Sequence, residues 1–127
     1  MISAGAGVTP MISLLHALTG LNRPVLFVQG ARNSEHHPFL TEVSELVDQH
    51  AHFTQHIAYS QPLPQDLTGQ HFDYRGRVTP DLLAALLSAD DLQADFFLCG
   101  PPMMLAELGP WLADQGVLGS QIHIESF

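Results

Sequence analysis

Apolar and polar positions along the chain follow two different periods, and stretches of the two kinds alternate. Short apolar runs and period-two stretches predict strands over residues 24–30, 53–60, 94–100 and 121–127. Apolar residues at helical spacing predict helices over residues 9–20, 38–50, 79–88 and 102–115. Prolines, glycines and polar residues dominate the stretch 61–76, which predicts a loop. Strands that alternate with helices predict an α/β fold in which a parallel sheet is covered on both faces.

Threonine and proline mark the starts of two predicted helices. Thr9-Pro10 and Thr79-Pro80 each place a side chain that can cap a helix before a proline suited to the first turn. We therefore expect both threonines to cap helices. Gly109-Pro110 interrupts the last helical stretch, which predicts a kink or a division of that helix.

The composition predicts one packed domain with an acidic surface. The chain has 127 residues, of which 46% are hydrophobic and 13% charged, so disorder is not expected. Its net charge of -9 argues against binding nucleic acids or anionic membranes, because both attract clustered basic residues. No apolar stretch approaches the ~20 residues that span a bilayer. The fixed cations available to an anionic ligand are four arginines: Arg23, Arg32, Arg75 and Arg77.

Histidine and cysteine give little support to a metal site. The spacing of the eight histidines, His36-His37 included, does not place three ligands on one rigid element, and Cys99 is the single cysteine. We expect no metal, and we expect the histidines to lie in loops and at helix starts on the acidic surface. One cysteine excludes an intrachain disulfide, and the N-terminus has no signal-peptide pattern, so we expect a cytoplasmic domain.

Two glycine turns each lead from a predicted strand into a predicted helix: "GAGVTP" at residues 5–10 and "CGPPMM" at residues 99–104. Ligands of open parallel sheets bind at the carboxyl ends of the strands, where a helix start offers unpaired amides to a phosphate. The first turn is not a Rossmann fingerprint, since Pro10 replaces the third glycine. We predict that the two turns clamp one elongated ligand. The alternatives are a flavodoxin-like or response-regulator-like module, and a domain in which the turns only fold the chain.

Five ordered motifs resemble those of a known family: "ISAGAGVTPM", "VQGARNSEHHPF", "YSQPLP", "FFLCGPPMM" and "IHIESF". With these motifs the chain resembles the pyridine-nucleotide-binding domain of the ferredoxin–NADP reductase superfamily, in particular the reductase part of flavohaemoglobins. The resemblance implies that residues 1–127 form one NAD(P)-binding domain with a doubly wound parallel sheet of order 3-2-1-4-5. It also implies that the first strand is truncated and that the flavin-binding barrel of the relatives is absent from this chain.

The resemblance assigns roles to both glycine turns. The diphosphate is expected on the first turn and the helix start, at Gly5, Gly7, Val8, Thr9 and Pro10. The nicotinamide is expected against Cys99 and Gly100, where the thiol is a catalytic group that positions the reacting carbon without attacking it. The path of the ribose and diphosphate is expected along Pro101, Pro102 and Met103.

The resemblance also indicates which residues bind the adenosine end of the ligand. The adenosine 2′ position is expected near Ser60 and Gln61, where plant-type relatives have arginine in place of the glutamine. This implies the use of NADH or of both nucleotides. Arg32 is a cation that can partly restore NADPH binding, and Arg75 or Arg77 is the alternative.

At the C-terminus, Glu125 is expected to help relay a proton and Phe127 to stack on the flavin. Their alternative roles, a surface acid and a core aromatic on an edge strand, stay open.

The function implied by the resemblance is that of half a reductase. The domain would bind NAD(P)H and present its nicotinamide to FAD or FMN on a flavin-binding domain. Electrons would then pass one at a time to a haem or iron–sulfur acceptor. Alone, the chain should bind nucleotide weakly and turn over nothing. An apolar flank exposed by the missing flavin domain predicts self-association as a homo-oligomer.

Overall fold

The predicted apolar runs form the strands of one parallel sheet. The computed structural model describes residues 1–126, except for the side chains of Ala6 and Ser126, and the predicted site residue Phe127 lies outside the described residues. The strands are β1 (Ile2–Ala4), β2 (Val25–Ala31), β3 (Phe53–Tyr59), β4 (Tyr74–Arg75), β5 (Phe96–Gly100) and β6 (Ile122–Ser126). All neighbouring strands run parallel, in the order β4-β3-β2-β1-β5-β6.

The strand order confirms the predicted arrangement of the five expected strands. The sixth, β4, corrects the prediction that residues 61–76 form only a loop. It has two residues, Tyr74 and Arg75, which pair with Ala58 and Tyr59 at the end of β3. Such a short edge strand leaves no apolar run in the sequence, because only one neighbouring strand and a few side chains hold it.

Within residues 1–126, four α-helices connect the strands: α1 (Val8–Ala17), α2 (Leu40–Gln49), α3 (Pro80–Leu86) and α4 (Pro102–Asp114). The Thr79 cap is confirmed, since its Oγ1 accepts a hydrogen bond from the Leu82 N–H at 3.4 Å. The Thr9 cap is wrong. Helix α1 begins one residue earlier, with Gly7 as its N-cap, so Thr9 lies inside the first turn. None of the described helices is long and apolar enough to cross a membrane.

Helix α4 runs without a break through Pro110, so the predicted division at Gly109-Pro110 is wrong. Pro110 and Ala106, one turn earlier, both lie on the exposed side of the helix. Water can therefore bind the carbonyl that loses its N–H partner at the proline, which lowers the cost of continuing the helix.

Alternation along the strands divides the core between the two faces of the sheet. Phe96 and Leu98 of β5 pack in a cluster with residues of α3 and α4, whereas Cys99 packs in a second cluster with residues of α1 and α2. Both faces are therefore covered, as predicted for parallel strands. Because each helix follows a strand, the starts of the helices meet the carboxyl ends of the strands at one edge of the sheet.

The opposite edge of the sheet, at the amino ends of the strands, holds a cavity of about 460 Å³. Leu26 and Phe96 line it, because β1 has three residues where the adjacent β2 has seven and β5 has five. Asp91, at the same edge, also lines it. The cavity lies away from both glycine turns, so it is not part of the site predicted from them.

Candidate functional site

The two glycine turns lie side by side because their strands are neighbours. In the register of the sheet, Ile2 pairs with Leu98 and Ser3 with Cys99. The chain then leaves β1 through a 3-10 turn, Gly5–Gly7, into α1, and leaves β5 through Pro101 into α4. The two glycine turns therefore adjoin at one edge of the sheet, which is the arrangement that the predicted clamp requires.

Gly7 brings the turns into direct backbone contact. A β-carbon at Gly7 would overlap the carbonyl oxygen of Cys99 and lie 2.6 Å from its carbonyl carbon and 3.0 Å from the Cα of Gly100. Gly7 itself has an ordinary right-handed backbone, with φ −63° and ψ −8°. Glycine is therefore required here by the closeness of the second turn and not by its own conformation.

At Gly5, in contrast to Gly7, glycine is favoured by the backbone conformation and not by a close neighbour. Its φ of +58° is left-handed, which favours glycine, and a β-carbon there would meet no atom of the described residues within 4 Å. The first turn thus adopts without strain a direction that a residue with a side chain would resist, and it has open space beside it among the described residues. A phosphate has room to approach the backbone on that side.

The start of α1 keeps its backbone donors available. No side chain caps the helix within the described residues, and Thr9 and Pro10 are exposed. The first N–H groups of a helix have no partner inside the helix, and the aligned peptide dipoles give this end a partial positive charge. An anion of the size of a phosphate fits these donors.

The second turn contributes shape rather than donors. Pro101 and Pro102 carry no N–H, and Pro102 is the first residue of α4. A β-carbon at Gly100 would overlap the Met104 methyl group and lie 3.3 Å from its sulfur. Met103, one residue earlier, is 73% exposed. This turn therefore offers an exposed apolar surface next to the first turn.

Cys99 is held as a neutral thiol between these elements. The side chain is buried, and burial, followed by the charge of Glu125, raises the pKa of the thiol. Glu125 lies directly across from Cys99 in the register of β5 and β6. A protonated thiol is a weak nucleophile, which fits a positional role and argues against covalent catalysis.

A shallow cavity of about 270 Å³ lies between α1 and the last two strands. Pro10 and Glu125 both line it, so it brings together the first-turn helix start and the C-terminal strand. Its floor includes the Phe97 ring, which stacks on His123 with ring centres 4.6 Å apart. This part of the sheet face is not covered by α1.

The other predicted binding residues meet at the ends of β2 and β3. The Ser60 N–H donates to the Ala31 carbonyl at 3.1 Å, and the Gln61 N–H donates to the Arg32 carbonyl at 2.9 Å. Arg75 pairs with Tyr59 in the adjacent strand β4.

Three of the four arginines lie near these strand ends, and all three are exposed. Arg32 directly follows β2, Arg75 ends β4, and Arg77 lies two residues beyond it. The ion pairs formed among residues 1–126 join histidine to acid, so these guanidinium groups are unpaired there.

A buried polar cluster at the same ends was missed by sequence reasoning. The His37 ring contacts the Tyr59 hydroxyl through Nδ1 at 2.7 Å and the Gln29 Oε1 through Nε2 at 2.9 Å. His37 is 9% exposed, so the prediction of surface histidines is wrong for this residue. Burial lowers its pKa to about 4. The sequence carries no local signal for this cluster, because the partners of His37 lie 8 and 22 residues away.

A family model described as the oxidoreductase NAD-binding domain matches residues 1–108. The flavohemoprotein of Rhizobium meliloti (strain 1021) is 36% identical over 128 residues, which cover 100% of this chain and 31% of that protein. The flavohemoprotein of Bacillus subtilis (strain 168) is 32% identical over 129 residues, covering 100% of this chain and 32% of that protein. The chain thus spans about a third of the length of these relatives.

Solved structures show the same fold. The flavohem-like FAD/NAD-binding domain of nitric oxide dioxygenase from Vibrio cholerae O1 biovar El Tor superposes with a TM-score of 0.79 at 28% identity, covering 99% of this chain and 49% of that one. Flavohemoglobin from Malassezia yamatoensis, solved with bound FAD and heme, superposes with a TM-score of 0.78 at 25% identity, covering 99% of this chain and 30% of that one. The chain therefore belongs to the oxidoreductase NAD-binding domain family, within the ferredoxin–NADP reductase superfamily that its motifs resemble.

Proposed function

We propose that this domain binds NAD(P)H and presents the nicotinamide to a flavin, FAD or FMN, on a flavin-binding domain. The observation that carries the proposal is the backbone contact of Gly7 with Cys99 and Gly100. It sets a helix start with free amides beside a strand end with a small neutral side chain, and one dinucleotide can reach both. When bound, the cofactor supplies a hydride, which reduces the flavin and leaves an oxidised nicotinamide.

The diphosphate is proposed to lie at the start of α1. The amides of Gly7, Val8 and Thr9 stand at the positive end of the helix, and the Thr9 hydroxyl is exposed and can add a hydrogen bond. Gly5 leaves open space beside this turn. Pro10 closes the turn on the side of the shallow cavity.

The nicotinamide end is proposed to lie against the second turn. Cys99 and Gly100 approach the first turn most closely, and Pro101, Pro102 and Met103 continue from them as an exposed wall for the ribose and diphosphate. Glu125, across from Cys99, is exposed and can hold or release a proton at its carboxylate. The proposed stacking of Phe127 on the flavin involves a residue outside the described part of the chain.

The domain is proposed to work with a flavin-binding domain and an electron acceptor. The relatives are three times as long as this chain, and the relative from Malassezia yamatoensis was solved with FAD and heme. We place the flavin on a flavin-binding domain and take a haem or iron–sulfur group as the electron acceptor. Ile124 is 52% exposed and Met103 73%, and we propose that this apolar surface contacts the flavin domain and permits self-association without it. A buried unpaired cysteine needs no oxidising compartment, which supports a cytoplasmic location.

Titration of the chain with NADH and NADPH tests the binding part of this proposal. We expect amide chemical-shift changes concentrated at Gly5–Thr9, at Cys99, Gly100 and Met103, and at the ends of β2 and β3. Mixing the chain with a separately produced flavin-binding domain tests the transfer part, with NADH-driven bleaching of the flavin as the expected result. Shift changes spread over the cavity at the amino ends of the strands, or no changes at all, would contradict the proposal.

Cys99→Ala is expected to lower the rate of flavin reduction at saturating NADH about tenfold, because a misplaced nicotinamide reacts slowly even when it is bound. The dissociation constant for NADH should stay within about twofold, since the phosphate donors are untouched. Stopped-flow absorbance with the flavin-binding domain measures both quantities. Ser120→Ala, an exposed change near the amino end of β6, is the control. A Cys99→Ala rate equal to that of the control would contradict the positional role.

Arg32→Gln is expected to weaken NADPH binding about tenfold and to leave NADH binding within about twofold, because a charge-assisted contact to the 2′-phosphate is lost. Gln61 brings no charge to this end of the site, so NADH is the proposed principal nucleotide, with NADPH as a second. Arg23→Gln removes the same charge at the opposite edge of the sheet and is the matched control. Calorimetric titration of both variants with both nucleotides makes the comparison. Equal losses in the two variants would point to net charge instead of a specific contact.

A further inference from the structure

Four buried or nearly buried polar side chains tie together the loops that follow β2 and β3. They are Gln29, His37, Tyr59 and Asp66, and we call them the loop clamp. The first three are joined in a continuous chain of hydrogen bonds: Tyr59 to His37, His37 to Gln29, and the Gln29 amide to the Pro38 carbonyl at 3.1 Å. This chain reaches from the end of β3 to the start of α2.

The bond from Gln29 to the Pro38 carbonyl sets the direction of the other hydrogen bonds in this series. The Gln29 Nε2 donates to a carbonyl, so its Oε1 faces His37 as an acceptor. His37 must then carry its proton on Nε2, which leaves Nδ1 as an acceptor for the Tyr59 hydroxyl. Burial lowers the pKa of His37 to about 4, so the histidine is neutral at pH 7, and each of its two nitrogen atoms has one partner.

Asp66 fastens the same two loops from the other side. Its Oδ2 accepts hydrogen bonds from the Ser34 N–H at 3.2 Å and from the Leu63 N–H at 2.9 Å. Burial acts to raise the pKa of Asp66. Hydrogen bonds from the Ser34 side chain and from the Leu63 and Ser34 N–H groups, together with the nearby His71, outweigh burial and hold the pKa below its usual value. One carboxylate thus joins the loop after β2 to the loop after β3.

The clamp supports the backbone that carries the predicted adenosine contacts. Arg32 lies between Gln29 and Ser34, and Ser60 and Gln61 lie between Tyr59 and Leu63. The backbones of these segments are joined directly, by the bonds from Ser60 to Ala31 and from Gln61 to Arg32. None of the clamp residues belongs to either glycine turn. Its effect should therefore be confined to the adenosine end of the site.

Buried polar groups are a costly way to hold two strands together, because each must be removed from water. An apolar contact would hold the strands as firmly, but it would leave the loops free to shift. A fully satisfied polar network specifies one arrangement of the segments it joins. The cost is therefore understandable if the loops have to present Arg32, Ser60 and Gln61 in one fixed geometry.

We propose that His37 is a positioning residue for the adenosine half of the dinucleotide. Through Tyr59 and Gln29 it holds the loops after β2 and β3 in the arrangement that binds this half. The inference rests on the proposed function and adds a residue to its site. Without His37 the loops must be ordered at the moment of binding, which weakens affinity but leaves the hydride step unchanged.

The test compares His37→Phe with His36→Phe, a change of the adjacent and exposed histidine. Each variant and the original chain is titrated with NADH, with 5′-AMP as the adenosine half, and with reduced nicotinamide mononucleotide as the other half. We expect His37→Phe to weaken the binding of NADH and of 5′-AMP about tenfold, and to leave the dissociation constant of the mononucleotide within about twofold of that of the original chain. The rate of flavin reduction at saturating NADH should not change, and His36→Phe should bind all three as the original chain does.

Equal affinity of His37→Phe and the original chain for 5′-AMP overturns the inference. So does an equal loss of affinity for the mononucleotide, which would mean general damage to the fold. Tyr59→Phe removes one hydroxyl only and is expected to give a smaller loss in the same direction, so the test remains decisive if His37→Phe does not fold. Failure of the original chain to bind NADH at all would instead overturn the proposed function, and is thereby distinguished from failure of this inference.

Discussion

Replacing Gly7 by alanine is expected to weaken NADH binding about a hundredfold, the equivalent of losing two hydrogen bonds to charged phosphate at about 1.5 kcal/mol each. The added methyl group would overlap the Cys99 carbonyl oxygen, and the Gly100 Cα lies 3.0 Å from its position. Cys99 and Gly100 end β5, an interior strand paired on both sides, so their backbone atoms cannot rotate away as a side chain can. The two turns must separate, and the amides of α1 then lose their alignment with the second turn.

The same change is expected to lower the free energy of unfolding by about 2–3 kcal/mol, the usual cost of forcing an extra group into a packed site. Urea unfolding measures this, and calorimetric titration measures the nucleotide affinity. Gly20→Ala is the matched control, because its backbone is not left-handed and a β-carbon there meets nothing within 4 Å. Its stability should stay within about 0.5 kcal/mol and its affinity should not change. A Gly7→Ala variant that binds NADH normally would show that the turns do not act together.

The sequence was sufficient for those features that depend on local patterns. The apolar runs predicted β2, β3, β5 and β6, and Thr79-Pro80 predicted the start of α3, because burial and capping leave a signature in a few adjacent residues. The glycine turns were recognised for the same reason. Their contact was not predictable from either turn alone, since it depends on the pairing of β1 with β5. The three-residue strand β1 was expected only from the family resemblance.

The failures arise where tertiary structure decides between local alternatives. Thr9 and Thr79 have the same following proline, yet only Thr79 is a cap, because the 3-10 turn after β1 starts the helix already at Val8. Pro110 is tolerated inside α4 because its side of the helix is exposed. His37 is buried because Tyr59 and Gln29 satisfy both of its nitrogen atoms, and neither partner is near it in the sequence.

Burial of His37 has a consequence for stability at mild acidity. Its pKa falls from the ordinary 6.5 to about 4, so between these values the unfolded chain binds a proton at His37 and the folded chain does not. Stability therefore decreases as the pH falls through this window. The integrated loss attributable to His37 is about 3 kcal/mol at pH 4 relative to pH 7. Tyr59, with a pKa raised to about 12 chiefly by burial, does not titrate there.

His37→Phe is expected to remove this part of the pH dependence. The variant should be less stable than the original chain at pH 7, because Tyr59 and Gln29 lose a buried partner, at a cost of about 1–3 kcal/mol for each unsatisfied group. The difference between the two proteins should then shrink by about 3 kcal/mol as the pH falls to 4, since only the original chain loses the contribution of a neutral histidine.

Urea unfolding at steps of half a pH unit from pH 7 to pH 4 measures the free energy of unfolding of both proteins. The other histidines and the acidic residues are common to the two, so their contributions cancel in the difference. The carboxylate of Asp66, with its pKa held below the usual value of 3.8, stays charged in the fold over this range. His36→Phe should follow the original chain throughout, because His36 is exposed. A constant difference between His37→Phe and the original chain would mean that His37 takes up a proton as readily in the folded chain as in the unfolded chain. That result would contradict the neutral His37 assigned to the loop clamp over this pH range.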